Sequence, residues 1–135
     1  MPTSKYTDVL RDVEGLFSST AWTANNIPAF PSNYDVSATA QNNQEFVVIE
    51  VIPGRNFTNY GRPGVKGQVI IQIYTAAGQG TARANEIADI LDNLMQTREL
   101  TRGTLIGTSS MSHLDLDQND PYLFRTDYSV SFTKY

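Results

Sequence analysis

Three stretches of this chain hold residue types that could do chemistry, and spacing decides each of them. The first is Gly78-Gln79-Gly80-Thr81, where the apolar run ending IYTAA meets the amphipathic segment ARANEIADILDNL. A phosphate-binding loop needs G-x-x-x-x-G-K-[ST]: backbone amides cradle the phosphates, the lysine reaches their outer oxygens and the hydroxyl holds magnesium. Here Ala82 and Arg83 follow Thr81, no lysine is in place and one residue separates the glycines. A dinucleotide fingerprint would put its third glycine at position 83, which is Arg83. The remaining use is a strand-to-helix turn, with glycines permitting the reversal and Thr81 supplying an N-cap oxygen.

The second stretch is DLDQNDP, 115–121, in which Asp115, Asp117 and Asn119 match the first three ligand positions of a calcium loop. The glycine of that loop would fall on Asp120 and its bidentate glutamate on Thr126, so both fail. A solvated turn between two strands is the expectation. The third is His113, the one histidine, with Ser109, Ser110, Ser112 and Asp115 nearby in sequence. Side chains at i and i+2 of a strand run parallel and do not converge, and no G-x-S-x-G elbow is present. His113 reads as an exposed histidine at a strand end. Asn56-Phe57-Thr58 has the form of a glycosylation acceptor, without a secretory signal to give it meaning. No enzyme, no metal site and no cofactor is expected.

The elements that hold these stretches follow from periodicity. From Tyr6 to Ser18, apolar residues at Tyr6, Val9, Leu10, Val13, Leu16 and Phe17 have the spacing of a one-sided helix. A second helix from about Thr81 to Gln96 buries Ala84, Ile87, Ala88, Leu91, Leu94 and Met95, opposite Glu86, Asp89, Asp92 and Asn93. EFVVIEVI (45–52) and GQVIIQIYT (67–75) read as strands, joined by the glycine- and proline-rich PGRNFTNYGRPGVKG (53–67), a long protruding hairpin loop. TLIGTSSMSHL (104–114) is a weaker strand. In YLFRTDYSVSFTK, apolar Tyr122, Phe124, Tyr128, Val130 and Phe132 alternate with mostly polar residues, Thr126 being the polar entry on their side. Residues 20–44 form an irregular connection, with Trp22, Ile27, Phe30 and Tyr34 able to pin it.

The expected fold class is therefore α+β: a mixed or antiparallel four-stranded sheet with helices on one side, in the order α-β-β-α-β-β, over one domain spanning 1–135. With 135 residues, 40% hydrophobic and 18% charged, the chain can bury a core unaided. It has no cysteine, hence no disulfide framework and no thiolate chemistry. It opens MPTSKYTDVLRDVEG and has no apolar run near the roughly 18 residues of a membrane span, so a cytoplasmic protein without a membrane role is expected. Its net charge of -4 and scattered basic residues provide no positive face for gripping nucleic acid.

What stands out is interface chemistry on loops. Arg55, Asn56, Phe57, Tyr60, Arg62 and Lys66 lie in the 53–67 loop, and Asp115, Asp117 and Asp120 in the acidic one. Aromatic and arginine side chains on long loops are what protein interfaces favour, so both groups are candidate contact residues.

The chain also resembles the tail terminator (tail completion) proteins of long-tailed bacteriophages. The resemblance spans nearly its whole length, through the first helix, "NNIPAFPSNYD", "GQVIIQIYTAAGQGTARANEIADIL" and the closing "YLFRTDYSVSFTKY". It is one of pattern, without a short diagnostic motif, and the family has no catalytic residues to carry over. It implies a homohexameric ring that caps the tail tube, stops its polymerisation and offers a face to the head connector. The implied partners are copies of itself, the major tail tube protein and the head–tail connector protein, with DNA only passing through the lumen. The implied location is the host cytoplasm during assembly and then the virion tail. A head-closure or neck connector protein is the alternative, and a small ligand-binding α/β domain a more distant one.

Overall fold

The structure, a computed structural model, describes residues 5–31, 45–59, 61–76, 81–95, 99–116 and 123–135. Its elements in chain order are α1 (Lys5–Leu16), α2 (Thr20–Thr23), β1 (Ala29–Pro31), β2 (Phe46–Asn59), β3 (Arg62–Ala76), α3 (Ala82–Met95), β4 (Thr104–Leu116) and β5 (Leu123–Lys134). The fold is α+β, with one five-stranded mixed sheet in the order β1-β2-β3-β5-β4. The β2–β3, β3–β5 and β5–β4 pairs are antiparallel and β1–β2 is parallel.

Five strands replace the expected four because β1 and α2 fall within the stretch read as an irregular connection. Three residues, Ala29-Phe30-Pro31, are too few to carry a readable period. Tertiary contacts make the strand instead. The Val47 amide donates to the Pro28 carbonyl at 2.9 Å, and the Trp22 indole donates to the Ile27 carbonyl at 3.1 Å. Trp22 also meets Phe17 edge-on, with ring centroids 4.8 Å apart. Of the four anchors expected there, Trp22 and Ile27 are buried and Phe30 partly so, while Tyr34 lies outside the described residues.

A second correction concerns residues 53–67, which form no irregular loop. β2 and β3 stay paired from Phe46↔Tyr74 to Asn59↔Arg62, with one register shift at Pro53/Arg55. The prolines and glycines that suggested a loop are accommodated within the ladder. Pro53 sits on an outer strand at the bulge, where a missing amide is tolerated. Gly67 lies so close to the Ile52 carbonyl and the Phe132 ring that a methyl group there would overlap both. Gly61 takes a positive φ of 76° at the reversal.

One face of the sheet holds the core. Val47 and Ile49 of β2, Val69, Ile71 and Ile73 of β3, and Tyr128, Val130 and Phe132 of β5 form one cluster with Val9 and Val13 of α1 and Ile87, Leu91 and Met95 of α3. α3 begins one residue later than expected, Gln96 lies outside the described residues, and every residue of its predicted stripe is buried. The Asn85 amide bonds the Thr81 carbonyl at 3.0 Å, which places Thr81 at the helix start. Gly78 to Gly80 lie outside the described residues.

The stripe of α1 is rotated from its expected position. Val9, Val13 and Phe17 are buried, but so is Asp12, whereas Tyr6 and Leu10 are 51% and 40% exposed. On β5 the even-numbered side from Thr126 to Phe132 faces the core as expected, and Leu123 is buried on the other face beside Phe46 and Tyr74.

Candidate protein interface

The strand registers fix where the interface candidates sit. Arg55 and Lys66 are directly opposite each other on β2 and β3, both exposed, on the face away from the helices. Asn56 is opposite Val65 on the other face, where its side-chain oxygen accepts from the Tyr6 hydroxyl at 3.2 Å. Phe57 pairs with Gly64 and Arg62 with Asn59, which places both near the end of the β2–β3 ladder. Tyr60, Asp117 and Asp120 lie outside the described residues. Asp115 is opposite Arg125 near the end of β4.

These candidates do not converge. Following the pairs, Asn56 is level with Val65, Lys134 and Thr104, whereas Asp115 is level with Arg125, Tyr74 and Phe46. The basic group is therefore at one end of the strands on β2–β3, and Asp115 is near the other end on β4. They are two surfaces.

Of the chemistry candidates, His113, Ser109 and Ser110 have structural partners. His113 Nδ1 lies 2.9 Å from the Thr126 hydroxyl, and its ring is 5.9 Å from that of Phe124. Ser110 pairs with Ser129 at 2.8 Å, and Ser109 donates to Asp92 at 2.7 Å. Asp92 was expected on the solvent face of its helix. Instead it also accepts from the Tyr128 hydroxyl at 2.5 Å, tying α3 to β4 and β5. Burial, followed by this bond, pushes the Tyr128 pKa above its ordinary value near 10. Among the described residues no cluster of histidine and carboxylate groups could hold a metal, and the 117–121 part of the calcium-like stretch lies outside them.

Sequence reasoning missed a densely bonded side chain, Asp12. Its carboxylate is fully buried and accepts from the Arg102 amide at 3.0 Å and the Thr104 hydroxyl at 2.8 Å. The Arg102 guanidinium adds an ion pair at 3.3 Å. These bonds clamp α1 to the turn entering β4, where Gly103 has a φ of 89°. The available signal was a carboxylate three residues after Val9, on the turn that carries Val13.

Exposed large apolar side chains give the other missed pattern. Among the described residues these include Tyr6, Leu10, Ile52, Leu105, Met111 and Leu114. The first three lie on α1 and β2, and the last three lie on β4, at the opposite edge of the sheet. Tyr6 and Leu10 line a groove of about 220 Å³ with Val51, Pro53, Val65 and Phe132. By register Ile52 and Leu105 are on the face away from the helices, whereas Tyr6, Leu10 and Met111 are on the helix-bearing side.

No family model matches the chain, and no curated protein matches it. Among solved structures, a protein known by a sequence label alone is similar, at 13% identity and a TM-score of 0.56. The match covers 90% of this chain and 86% of the other. At that identity the likeness concerns the fold. No helix among the described residues is long and apolar enough to cross a membrane.

Proposed function

We propose that this chain is a structural phage protein of the tail terminator kind, forming a ring that caps the tail tube, stops its growth and presents a face to the head connector. The observation that carries the reading is the β2–β3 arm. It runs past the last β3–β5 pair, Val65↔Lys134, to Asn59↔Arg62, and bears exposed Arg55 and Lys66 side by side. The paired cations stand at the base of this arm, where β5 still flanks β3, and suit docking against acidic groups of a neighbouring subunit. Further support comes from the sequence resemblance and from apolar side chains at both sheet edges. A contact between two different edges is heterologous, and with the right rotation it closes into a ring. The net charge of -4 suits a lumen that lets DNA slide through.

Electron microscopy of tails assembled with and without the protein tests this. Tubes of uncontrolled length in its absence, restored to uniform length by adding it, are the expected result. Uniform tails without it that fail only to join heads would favour the head-closure or neck reading. Replacing Arg55, Arg62 and Lys66 together by alanine should leave the circular dichroism spectrum and melting temperature in place while tail completion is lost. Normal tails with the triple variant would remove the arm from the account.

A further inference from the structure

The end of α1, the short helix α2 and β1 enclose a cleft of about 520 Å³. Its floor is made of core residues, Phe17, Trp22, Ile27 and Ile49. An apolar hollow of this size with a few polar groups at its rim suits a ligand or an inserted side chain. It shares no residue with the groove that Tyr6 and Leu10 line.

The charge of this cleft is one-sided. Among the described residues that line it, Glu14 is the one charged side chain. Glu14 is partly buried, and no described group forms an ion pair or hydrogen bond with its carboxylate. It also stands in the last turn of α1, where the helix dipole is negative and no basic residue offsets it. Carboxylate and dipole add, so the rim attracts cations. The strand beside the cleft resists pairing with another chain. Pro28 and Pro31 have no amide hydrogen, and the Pro28 carbonyl already accepts from the Val47 amide. A partner therefore engages this corner with a side chain rather than with an added strand.

We propose that this cleft takes a basic side chain, arginine or lysine, carried on a segment of a partner protein. The aliphatic stem lies on the apolar floor and the charged head meets Glu14 at the rim, as amphipathic side chains do where apolar surface borders water. Arginine is enriched at protein interfaces, and here it gains from both parts of the cleft. An acidic side chain would be repelled by Glu14, and a purely apolar one would leave that carboxylate unpaired.

Trp22 is the only tryptophan in the chain, so its fluorescence reports events at the floor of the cleft. Three capped peptides, Ala-Ala-Xaa-Ala-Ala with arginine, norleucine or glutamate at the centre, would be titrated at millimolar concentration. The arginine peptide should perturb Trp22 and bind about two- to fivefold more tightly than the norleucine peptide, the gain of one partly exposed ion pair. The glutamate peptide should bind most weakly. Glu14→Gln should keep the circular dichroism spectrum and erase the difference between arginine and norleucine. Ser18→Phe, at an exposed position on the rim, should obstruct the cleft and weaken all three peptides. No response to the arginine peptide, or equal affinity for all three, would overturn the proposal. An arginine preference that survives Glu14→Gln, or binding untouched by Ser18→Phe, would overturn it as well. None of these readouts involves tail assembly, so failure here leaves the ring reading to its own test.

Discussion

The two long helices lie on the same face of the sheet, yet they use their apolar residues differently. α3 buries its whole stripe, Ala84, Ile87, Ala88, Leu91, Leu94 and Met95. α1 buries Val9, Val13 and a carboxylate, and leaves Tyr6 and Leu10 in solvent. A helix that serves only the core has no reason to carry more apolar surface than the core takes up. On the proposed ring reading the surplus on α1 is contact surface, and Asp12 is what holds the helix in the orientation that exposes it.

The first way to break this comparison is to weaken α3. Leu91→Ala leaves a hole in the centre of the cluster and should cost about 3–5 kcal/mol, read by urea denaturation. The second targets α1 through its clamp. Asp12→Ala should cost about 2–4 kcal/mol, because the Thr104 hydroxyl and the Arg102 amide lose a buried acceptor. If Asp12→Ala proved neutral, α1 would not be fixed by this carboxylate and its exposed residues would lose their stated cause.

A smaller effect is expected where α3 meets β5. Tyr128→Phe removes the bond to Asp92 and should cost about 1 kcal/mol at neutral pH. The folded state holds the Tyr128 pKa above its ordinary value near 10, so the neutral phenol is favoured by folding. Its contribution is complete below pH 10 and is lost as pH rises further, because the unfolded chain ionises first. Denaturation curves above pH 10 should therefore fall less steeply for Tyr128→Phe than for wild type.

Much of this architecture was legible in the residues, and the exceptions have physical reasons. The α3 stripe and the alternation on β5 were readable because one face of each element is uniformly apolar over many residues. β1 was not, since its three residues are placed by contacts with β2 and by the Trp22 anchor. The 53–67 arm was misread because Pro53, Gly54, Gly61, Pro63 and Gly64 signal a loop locally, whereas pairing along the ladder accommodates them in a bulge and a tight turn. Of the interface candidates, Arg55, Asn56 and Lys66 proved to be near neighbours on that arm. Asp115 lies elsewhere, a separation that only strand order reveals. Tyr6 and Leu10 belong to the apolar side that periodicity finds in α1, and periodicity does not say how much of that side is covered.

The smallest expected change in stability accompanies the most direct test of the proposed ring. Leu10→Asp and Met111→Asp alter exposed positions and should each shift stability by no more than about 0.5 kcal/mol. Each leaves one edge intact and blocks the other. Sedimentation at matched concentrations should show oligomers for wild type and monomers for either variant alone. An equal mixture should show dimers, since a ring built from two different edges leaves one intact edge on each variant. Variants that assemble like wild type, or a mixture that stays monomeric, would contradict the account.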